Sequence, residues 1–365
     1  MNSKSLFITM RWNGPVAHQN WRRPLFDLAP PIPTVRIDCY GIKIPQASLT
    51  IDLDGTHYQF CLGNAGRTNE SFHAGLFVNQ SAYNDAALRY PQNRRFAALI
   101  ESPINPCFDD LDLLAKRFDT VFTHQSDLVL SNPVFQPLLF GTNWIGVHSD
   151  QDSLDVLNDH PDKTKQISFI GSIQHDDIGA YQFRREIANR CLENADIDCF
   201  GKGIRPIPTK NVALRSYRYS IAMENAVADL YFSEKLIDCL LSETVPIYYG
   251  CPSIDTLFDR RGMLCFDSQD SLSDCLERAT EANYEAMRPY ILANKRKAIE
   301  QRWHSHHGLL HRLASVLPEN LRDMPALEMP AFVKSRSTLA RLSAVVRREI
   351  RHNPISKQIQ RRTAS

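Results

Sequence analysis

The pattern of apolar positions between residues 217 and 251 predicts a strand, a loop, a helix and a second strand. Tyr219, Ile221 and Met223 alternate with smaller or polar residues, which is typical of a strand with one strongly apolar face. From Ser233 onward the apolar residues recur at helical spacing, and a short β-rich run then ends at a glycine. This order indicates a right-handed crossover between strands of a parallel sheet.

The loop from Asn225 to Lys235 is predicted to lie beyond the carboxyl ends of the strands, where open parallel sheets bind ligands. A helix start offers unpaired N–H groups, and Lys235 would add a full positive charge, so a phosphate ester is the expected ligand. Glu234 could accept hydrogen bonds from ribose hydroxyls, and Tyr231 offers a ring and a hydroxyl for a base or sugar. Together they predict a nucleoside diphosphate site. In isolation, Glu234 and Lys235 would more commonly be a solvated pair at a helix start.

Elsewhere strands and helices alternate, which predicts an α/β fold. Strands are expected near Leu6, Thr34, His57, Phe96, Thr120, Ile167, Ile197, Tyr219, Val245 and Met263, and helices around Gln182, Lys235, Leu272 and Tyr284. The polar segment 150–164 predicts a boundary between an acceptor-side domain, residues 1–158, and a donor domain, residues 165–317.

The same segment resembles the α1,3-fucosyltransferase signature of glycosyltransferase family 10. The resemblance rests on MENA at 223–226, YFSEKL at 231–236 and VPIYYGCPSI at 245–254, with the right gaps between them. Ala226 stands where serine is usual and Tyr249 where tryptophan is common, and neither change removes a charge. The resemblance implies an inverting GT-B enzyme that uses GDP-fucose, with two Rossmann-like domains facing a central cleft. It implies a donor site made of Glu224, Asn225, Tyr231, Glu234 and Lys235.

The resemblance also points to arginines at a second helix start, after a β-rich run that ends near Ser172. An arginine near this start contacts the donor diphosphate in the family, and Arg184 matches it best, with Arg185 beside it. A guanidinium suits phosphate because its planar fork donates two hydrogen bonds at once. Without the resemblance, both arginines would be expected to be solvated.

The catalytic base is expected in the first half of the chain. An apolar strand there delivers Glu101 at its end, and the tract Glu101 to Pro103 is similar to a family segment whose glutamate is the proposed base. Inverting transfer needs one base to take the proton of the attacking hydroxyl. The alternative for Glu101 is an ordinary exposed glutamate at a strand end.

No metal or cofactor is expected beside the donor. The histidines at 304, 306, 307 and 311 lack an acidic or thiol ligand at fixed spacing and are interpreted as part of a surface helix. The triplet Asp110-Leu-Asp112 resembles a metal-binding DxD, but it falls at a predicted helix start, where acidic residues are favoured by the helix dipole.

The chain of 365 residues has a net charge of +1, which hides a basic tail at 331–365 with nine Lys or Arg and one acidic residue. The tail carries an apolar helical stripe, so it predicts either peripheral contact with an anionic membrane or a solvated extension. It has a single aromatic residue, Phe332, which disfavours nucleic acid as a partner. The nine cysteines form no CxxC pair and no signal peptide is evident, so we expect a soluble, bacterial-type, cytoplasmic protein that could lie peripherally on the inner membrane face.

The expected activity is inverting transfer of L-fucose from GDP-fucose to a hydroxyl of a glycan acceptor, in α1,3 linkage on a cell-surface polysaccharide or a lipid-linked oligosaccharide. Two alternatives stay open: the same fold with another nucleotide-sugar donor, and a catalytically silent glycan-binding protein.

Overall fold

The computed structural model describes residues 32–42, 46–62, 70–174 and 178–329. Its strands are β1 (Thr34–Tyr40), β2 (Ser48–Leu53), β3 (Thr56–Leu62), β4 (Ser71–Phe72), β5 (Ala74–Val78), β6 (Arg95–Leu99), β7 (Thr120–Thr123), β8 (Phe135–Pro137), β9 (Lys165–Ile170), β10 (Ile197–Phe200), β11 (Tyr217–Met223), β12 (Val245–Tyr249), β13 (Leu264–Cys265) and β14 (Leu327–Glu328). Its α-helices are α1 (Leu111–Arg117), α2 (Ser126–Ser131), α3 (Asp150–Asn158), α4 (Tyr181–Leu192), α5 (Asn211–Leu214), α6 (Glu234–Leu241), α7 (Gln269–Arg278), α8 (Glu281–Glu300) and α9 (His306–Val316).

The first half of the described chain is built on a sheet in the order β2-β3-β1-β5-β6-β7-β8, in which only the β2–β3 pair is antiparallel. Both faces of this sheet are covered. Along β5, Leu76 and Val78 belong to one apolar core, whereas Phe77 between them belongs to a core on the other face. Parallel strands buried on both sides are apolar throughout, and all five residues of β5 are buried.

The second half is built on a parallel sheet in the order β10-β9-β11-β12-β13. The predicted strand, loop, helix and strand correspond to β11, the loop 224–233, α6 and β12. Tyr219, Ile221 and Met223 lie in one apolar core together with Leu236 and Leu240 of α6. The predicted α/β fold is therefore confirmed, with one parallel or mostly parallel sheet in each half.

The chain crosses between the halves twice. Residue Val147 already packs in the core of the second half, before the predicted boundary, and the polar segment there contains α3, which Ser149 begins with a capping box. After α8 the chain returns, and Leu309, Leu310 and Leu313 of α9 pack in the core of the first sheet. The predicted donor domain, residues 165–317, included the residues of α9, whereas in the structure α9 packs in the first half.

The interpretation of the histidine-rich segment as a surface helix is wrong for His304, which is buried. Its ring contacts Ser153 Oγ at 2.8 Å and the carbonyl of Ala298 at 3.3 Å. The reason is its position at the return crossing, where α3 and the last turn of α8 cover it. The strand expected near Leu6 and the basic tail at 331–365 lie outside the described residues.

Candidate active site

Loops that follow the carboxyl ends of strands in both sheets meet in one region, which is called the cleft below. Strand β6 ends two residues before Glu101, and β7 and β11 lead directly to His124 and Glu224. The ring of His124, from the first half, packs on the ring of Tyr231, from the second, with centroids 5.1 Å apart. Loops that follow parallel strands of both sheets thus meet where the sequence predicts a central cleft.

The buried carboxylate of Glu224 fixes the start of α6. One of its oxygens accepts a hydrogen bond from the backbone N–H of Ser233 at 2.8 Å, and the other accepts one from Ser233 Oγ at 2.6 Å. Ser233 is in turn the N-cap residue of α6. A side chain at Gly250 would come within 2.5 Å of Glu224 Cγ, so the glycine of the signature leaves room for this carboxylate. Glu224 thus orients the residues that follow Ser233.

Glu234 and Lys235 form a charged pair in the first turn of α6. Lys235 Nζ lies 3.1 Å from Glu234 Oε1, 3.6 Å from Glu224 Oε2 and 3.0 Å from Ser233 Oγ. Burial alone would raise the pKa of Glu234, but the ammonium groups of Lys235 and Lys210 lower it to about 2. Burial would lower the pKa of Lys235, but the carboxylates of Glu224 and Glu234 raise it above its ordinary value. Both groups are therefore charged at neutral pH.

Arg184 brings a second positive charge to the same place. It lies in the first turns of α4 and is buried; its Nη2 donates to the carbonyl of Met223 at 2.6 Å, and its guanidinium lies 4.9 Å from the centre of the Tyr181 ring. Within the described residues its Nε has no hydrogen-bond partner. Burial lowers the pKa of Arg184, while Tyr181 and Glu224 oppose that shift. A buried, incompletely paired guanidinium is a group that an anionic ligand would satisfy.

Arg185 is the next residue of α4 and is half buried. Consecutive residues of a helix point in directions about 100° apart. Arg184 contacts the Met223 carbonyl, next to Glu224 in the chain.

Asn225 and Tyr231 line the same part of the cleft. The Tyr231 hydroxyl donates to Asn225 Oδ1 at 2.9 Å, and Asn225 Nδ2 donates to the Tyr181 hydroxyl at 3.3 Å. Burial is the main cause that raises the pKa of Tyr231 well above its ordinary value, and the negative charges of Glu224 and Glu234 raise it further. The tyrosine is therefore a neutral hydrogen-bonding group.

Glu101 faces this group from the other half. The Asn79 amide oxygen accepts a hydrogen bond from the Glu101 backbone N–H at 3.2 Å, and His124 Nε2 lies 2.9 Å from the Glu101 carbonyl oxygen. The side chain reaches solvent, but the walls of the cleft still desolvate it, which raises its pKa. The Glu234 charge raises that pKa further, and the Lys235 charge opposes it. A carboxylate with a raised pKa is a better proton acceptor than an ordinary one.

Three residues that the sequence analysis did not identify extend the charged group. Lys210 Nζ lies 2.8 Å from Asp238 Oδ2 and 3.4 Å from Glu234 Oε1, and the backbone N–H of Trp144 donates to Asp238 Oδ1 at 2.8 Å. Burial raises the pKa of Asp238 to about 6, although Lys210 lowers it. Asp238 shares a helix with Glu234 and could have been found from its four-residue spacing, whereas Lys210 and Trp144 lie in loops without a periodic pattern.

No group of three or more His, Cys, Asp or Glu side chains in the described ranges is placed to hold a metal ion. Asp110, the first residue of the DxD triplet, caps α1 by accepting a hydrogen bond from the Leu113 N–H at 3.1 Å. None of the helices in the described part of the chain combines the length and the apolar character needed to cross a bilayer.

Residues 160–290, which contain Arg184 and the whole of the signature, match a family model described as "Glycosyltransferase family 10 (fucosyltransferase) C-term". This segment is therefore similar to the C-terminal part of glycosyltransferase family 10 proteins. The family 10 resemblance inferred from the sequence is thus confirmed.

Two curated relatives match parts of this chain. An alpha-(1,3)-fucosyltransferase FucT of Helicobacter pylori is 34% identical over 58 residues, which are 16% of this chain and 12% of that protein. A GDP-fucose protein O-fucosyltransferase 3 of Danio rerio is 27% identical over 131 residues, which are 34% of this chain and 27% of that protein. The chain therefore matches about an eighth and about a quarter of the lengths of these relatives.

Solved structures also superpose on this chain. An alpha1,3-fucosyltransferase crystallised with GDP has a TM-score of 0.46 and 15% identity, covering 81% of this chain and 94% of that one. A trehalose-6-phosphate synthase structure has a TM-score of 0.47 and 9% identity, and the match covers 80% of this chain and 94% of that one.

Proposed function

We propose that this chain is an inverting glycosyltransferase that moves L-fucose from GDP-fucose to a hydroxyl of a glycan acceptor. The observation that carries the proposal is that Lys235, with Arg184 beside it in the second half, faces Glu101 from the opposite half. The names of both curated relatives are those of fucosyltransferases, and one of them names GDP-fucose as the donor.

The donor would bind mainly to the second half. The N-terminus of α6, the Lys235 ammonium and the Arg184 guanidinium offer positive charge to a diphosphate. The Glu234 carboxylate, held ionised, would accept hydrogen bonds from the ribose hydroxyls. Asn225 and Tyr231 would form the wall beside the diphosphate and the sugar.

Transfer would occur in one displacement. The acceptor oxygen forms a bond to the anomeric carbon as the bond from that carbon to the diphosphate oxygen breaks, and Glu101 takes the proton of the acceptor hydroxyl. The configuration at the anomeric carbon is inverted. Arg184 and Lys235 offset the negative charge that develops on the departing GDP, so the proposal includes no metal or other cofactor.

The acceptor part of the proposal is an α1,3 linkage on a cell-surface polysaccharide or a lipid-linked oligosaccharide. The name of the Helicobacter pylori relative supports the linkage, and the acceptor stays a prediction of the sequence. Peripheral membrane contact through the basic tail, and a position on the cytoplasmic face, stay predictions of the sequence.

The donor assignment is tested by Lys235→Ala. Loss of a charge-assisted contact to phosphate should weaken GDP binding about 10- to 100-fold, measured by isothermal titration calorimetry. The exposed Lys297, on helix α8, gives a matched control, and Lys297→Ala should bind GDP as the unmodified protein does. Unchanged GDP affinity in Lys235→Ala would contradict the phosphate site.

The alternatives are separated by the thermal stability of the protein with GDP, UDP, CDP or ADP, because a ligand that binds the folded state raises the melting temperature. Selective stabilisation by GDP supports the proposed donor. Selective stabilisation by another diphosphate indicates a different nucleotide sugar, and no response indicates a protein that does not bind donor.

A further inference from the structure

Trp144 is a large aromatic side chain left mostly in solvent. Its exposed fraction is 64%, whereas Trp303, at the neighbouring return crossing, is 5% exposed. Tryptophan carries a large apolar surface and is usually well buried. The Lys210 ammonium lies 4.7 Å from the centre of the indole, which leaves the greater part of the ring open.

The loop that carries Trp144 is held by many hydrogen bonds. The buried amide of Asn143 donates to the carbonyls of Val147 and His304, at 2.6 and 2.7 Å. Its oxygen accepts hydrogen bonds from the N–H groups of Ile145, Gly146 and Val147. The backbone N–H of Trp144 donates to the Asp238 carboxylate. The backbone is therefore fixed at Trp144 and on both sides of it. An exposed aromatic ring on a fixed backbone is presented to a ligand at little cost in entropy.

The indole stands next to the proposed ribose site. Lys210 Nζ touches both the indole face and Glu234 Oε1, at 4.7 and 3.4 Å, so a single ammonium group separates the indole from the Glu234 carboxylate. Both Glu234 and Asp238, the carboxylate that holds the Trp144 backbone, belong to α6. The indole is thus attached to the donor-binding half.

We propose that Trp144 is the platform on which the base of the donor nucleotide stacks. The proposal rests on the proposed function, because it takes Glu234 as the ribose ligand. A nucleobase is joined directly to the ribose, so a ribose on Glu234 would bring the base within reach of the indole, which contacts the same Lys210 ammonium as Glu234. Every nucleobase has a π-face that stacks on an aromatic ring, and such contacts are worth about 1–3 kcal/mol on substitution by alanine.

An acceptor sugar is the other planar-faced ligand that an indole could bind. The position of Trp144 favours the base, because its contacts are to Lys210 and α6 of the donor half, whereas Glu101 lies on the opposite wall. Stacking would act on any base and would raise affinity for the nucleotide without selecting guanine.

The test compares Trp144→Ala and Trp144→Phe with the unmodified protein, using GDP and inorganic pyrophosphate as separate ligands in calorimetry. Trp144→Ala should weaken GDP binding about 5- to 100-fold and leave pyrophosphate binding unchanged, because pyrophosphate has no base. Trp144→Phe should retain most of the GDP affinity. Leu154→Ala, at a side chain 52% exposed on the nearby helix α3, is the control and should change neither.

Equal GDP affinity in Trp144→Ala and the unmodified protein overturns the platform. An unchanged GDP affinity with a raised KM for the acceptor would assign the indole to the acceptor sugar and overturn it as well. Lys235→Ala separates the two proposals: if it weakens both GDP and pyrophosphate while Trp144→Ala changes neither, the donor site stands and the platform fails. If the unmodified protein binds no nucleotide, both fail.

Discussion

Glu101 combines solvent contact with a carboxyl pKa raised by its cleft environment. If it is the base, Glu101→Gln should lower the rate of transfer by at least about 100-fold, because an amide cannot take a proton at neutral pH. GDP affinity should be unchanged. Glu193→Gln, at an exposed position beyond the far end of α4, is the matched control.

The pH profile gives an independent measurement on the unmodified protein. A protonated Glu101 carboxyl can no longer take the proton of the acceptor hydroxyl. Because the pKa of Glu101 is raised, kcat/KM for transfer should therefore fall as the pH drops through a value above the ordinary glutamate range. A transfer rate in Glu101→Gln equal to that of the control would remove Glu101 from this role.

Most of the site residues that the sequence identified are close together along the chain, whereas those it missed are far apart along it. Glu224 to Lys235 lie close together along the chain, so their spacing was readable. The contact between Trp144 and Asp238 joins residues 94 positions apart, and the contact between Lys210 and Asp238 depends on how a loop folds back on α6. Periodicity reports which face of an element is apolar and carries no information on such long-range polar pairs.

At the scale of elements, the start of α6 is the unit that sets donor geometry. Ser233→Ala removes both the N-cap and a hydrogen-bond partner of the buried Glu224, so we expect a loss of about 1–2 kcal/mol in the free energy of unfolding and weaker GDP binding. Ser268 caps α7 in the same way, away from the cleft. Ser268→Ala should cost similar stability in a urea titration and leave GDP affinity unchanged; equal effects of both variants on GDP would contradict the role given to α6.

The elements themselves were predicted well where one apolar period is sustained, as in β11, α6 and β12. Strand β5 was missed because AGLFV is a short run, buried on both faces, that has no alternation. Helix α9 was predicted as part of the second half because an amphipathic stripe shows that a helix is buried on one side, but not which sheet it packs on.

For the whole molecule, the paired crossings between the halves are joined by Asn143. Asn143→Ala would leave the N–H groups of residues 145–147, of which Val147 is buried, and the carbonyl of the buried His304 without their partner, so we expect the free energy of unfolding to fall by about 2–4 kcal/mol. The control is Asn158→Ala, whose exposed amide makes one hydrogen bond, to Leu154, and which should cost less than about 0.5 kcal/mol. Urea midpoints that agree between the two variants would contradict this account.

The double crossing also has a topological consequence. The backbone N–H groups of Gly141 and Thr142 both donate to the carbonyl of Trp303, so the outgoing and returning chains run side by side. A single protease cut in the outgoing loop would leave the halves attached through α9, which stays packed in the first sheet. The nicked protein should elute as one particle in gel filtration and separate into two fragments only when denatured.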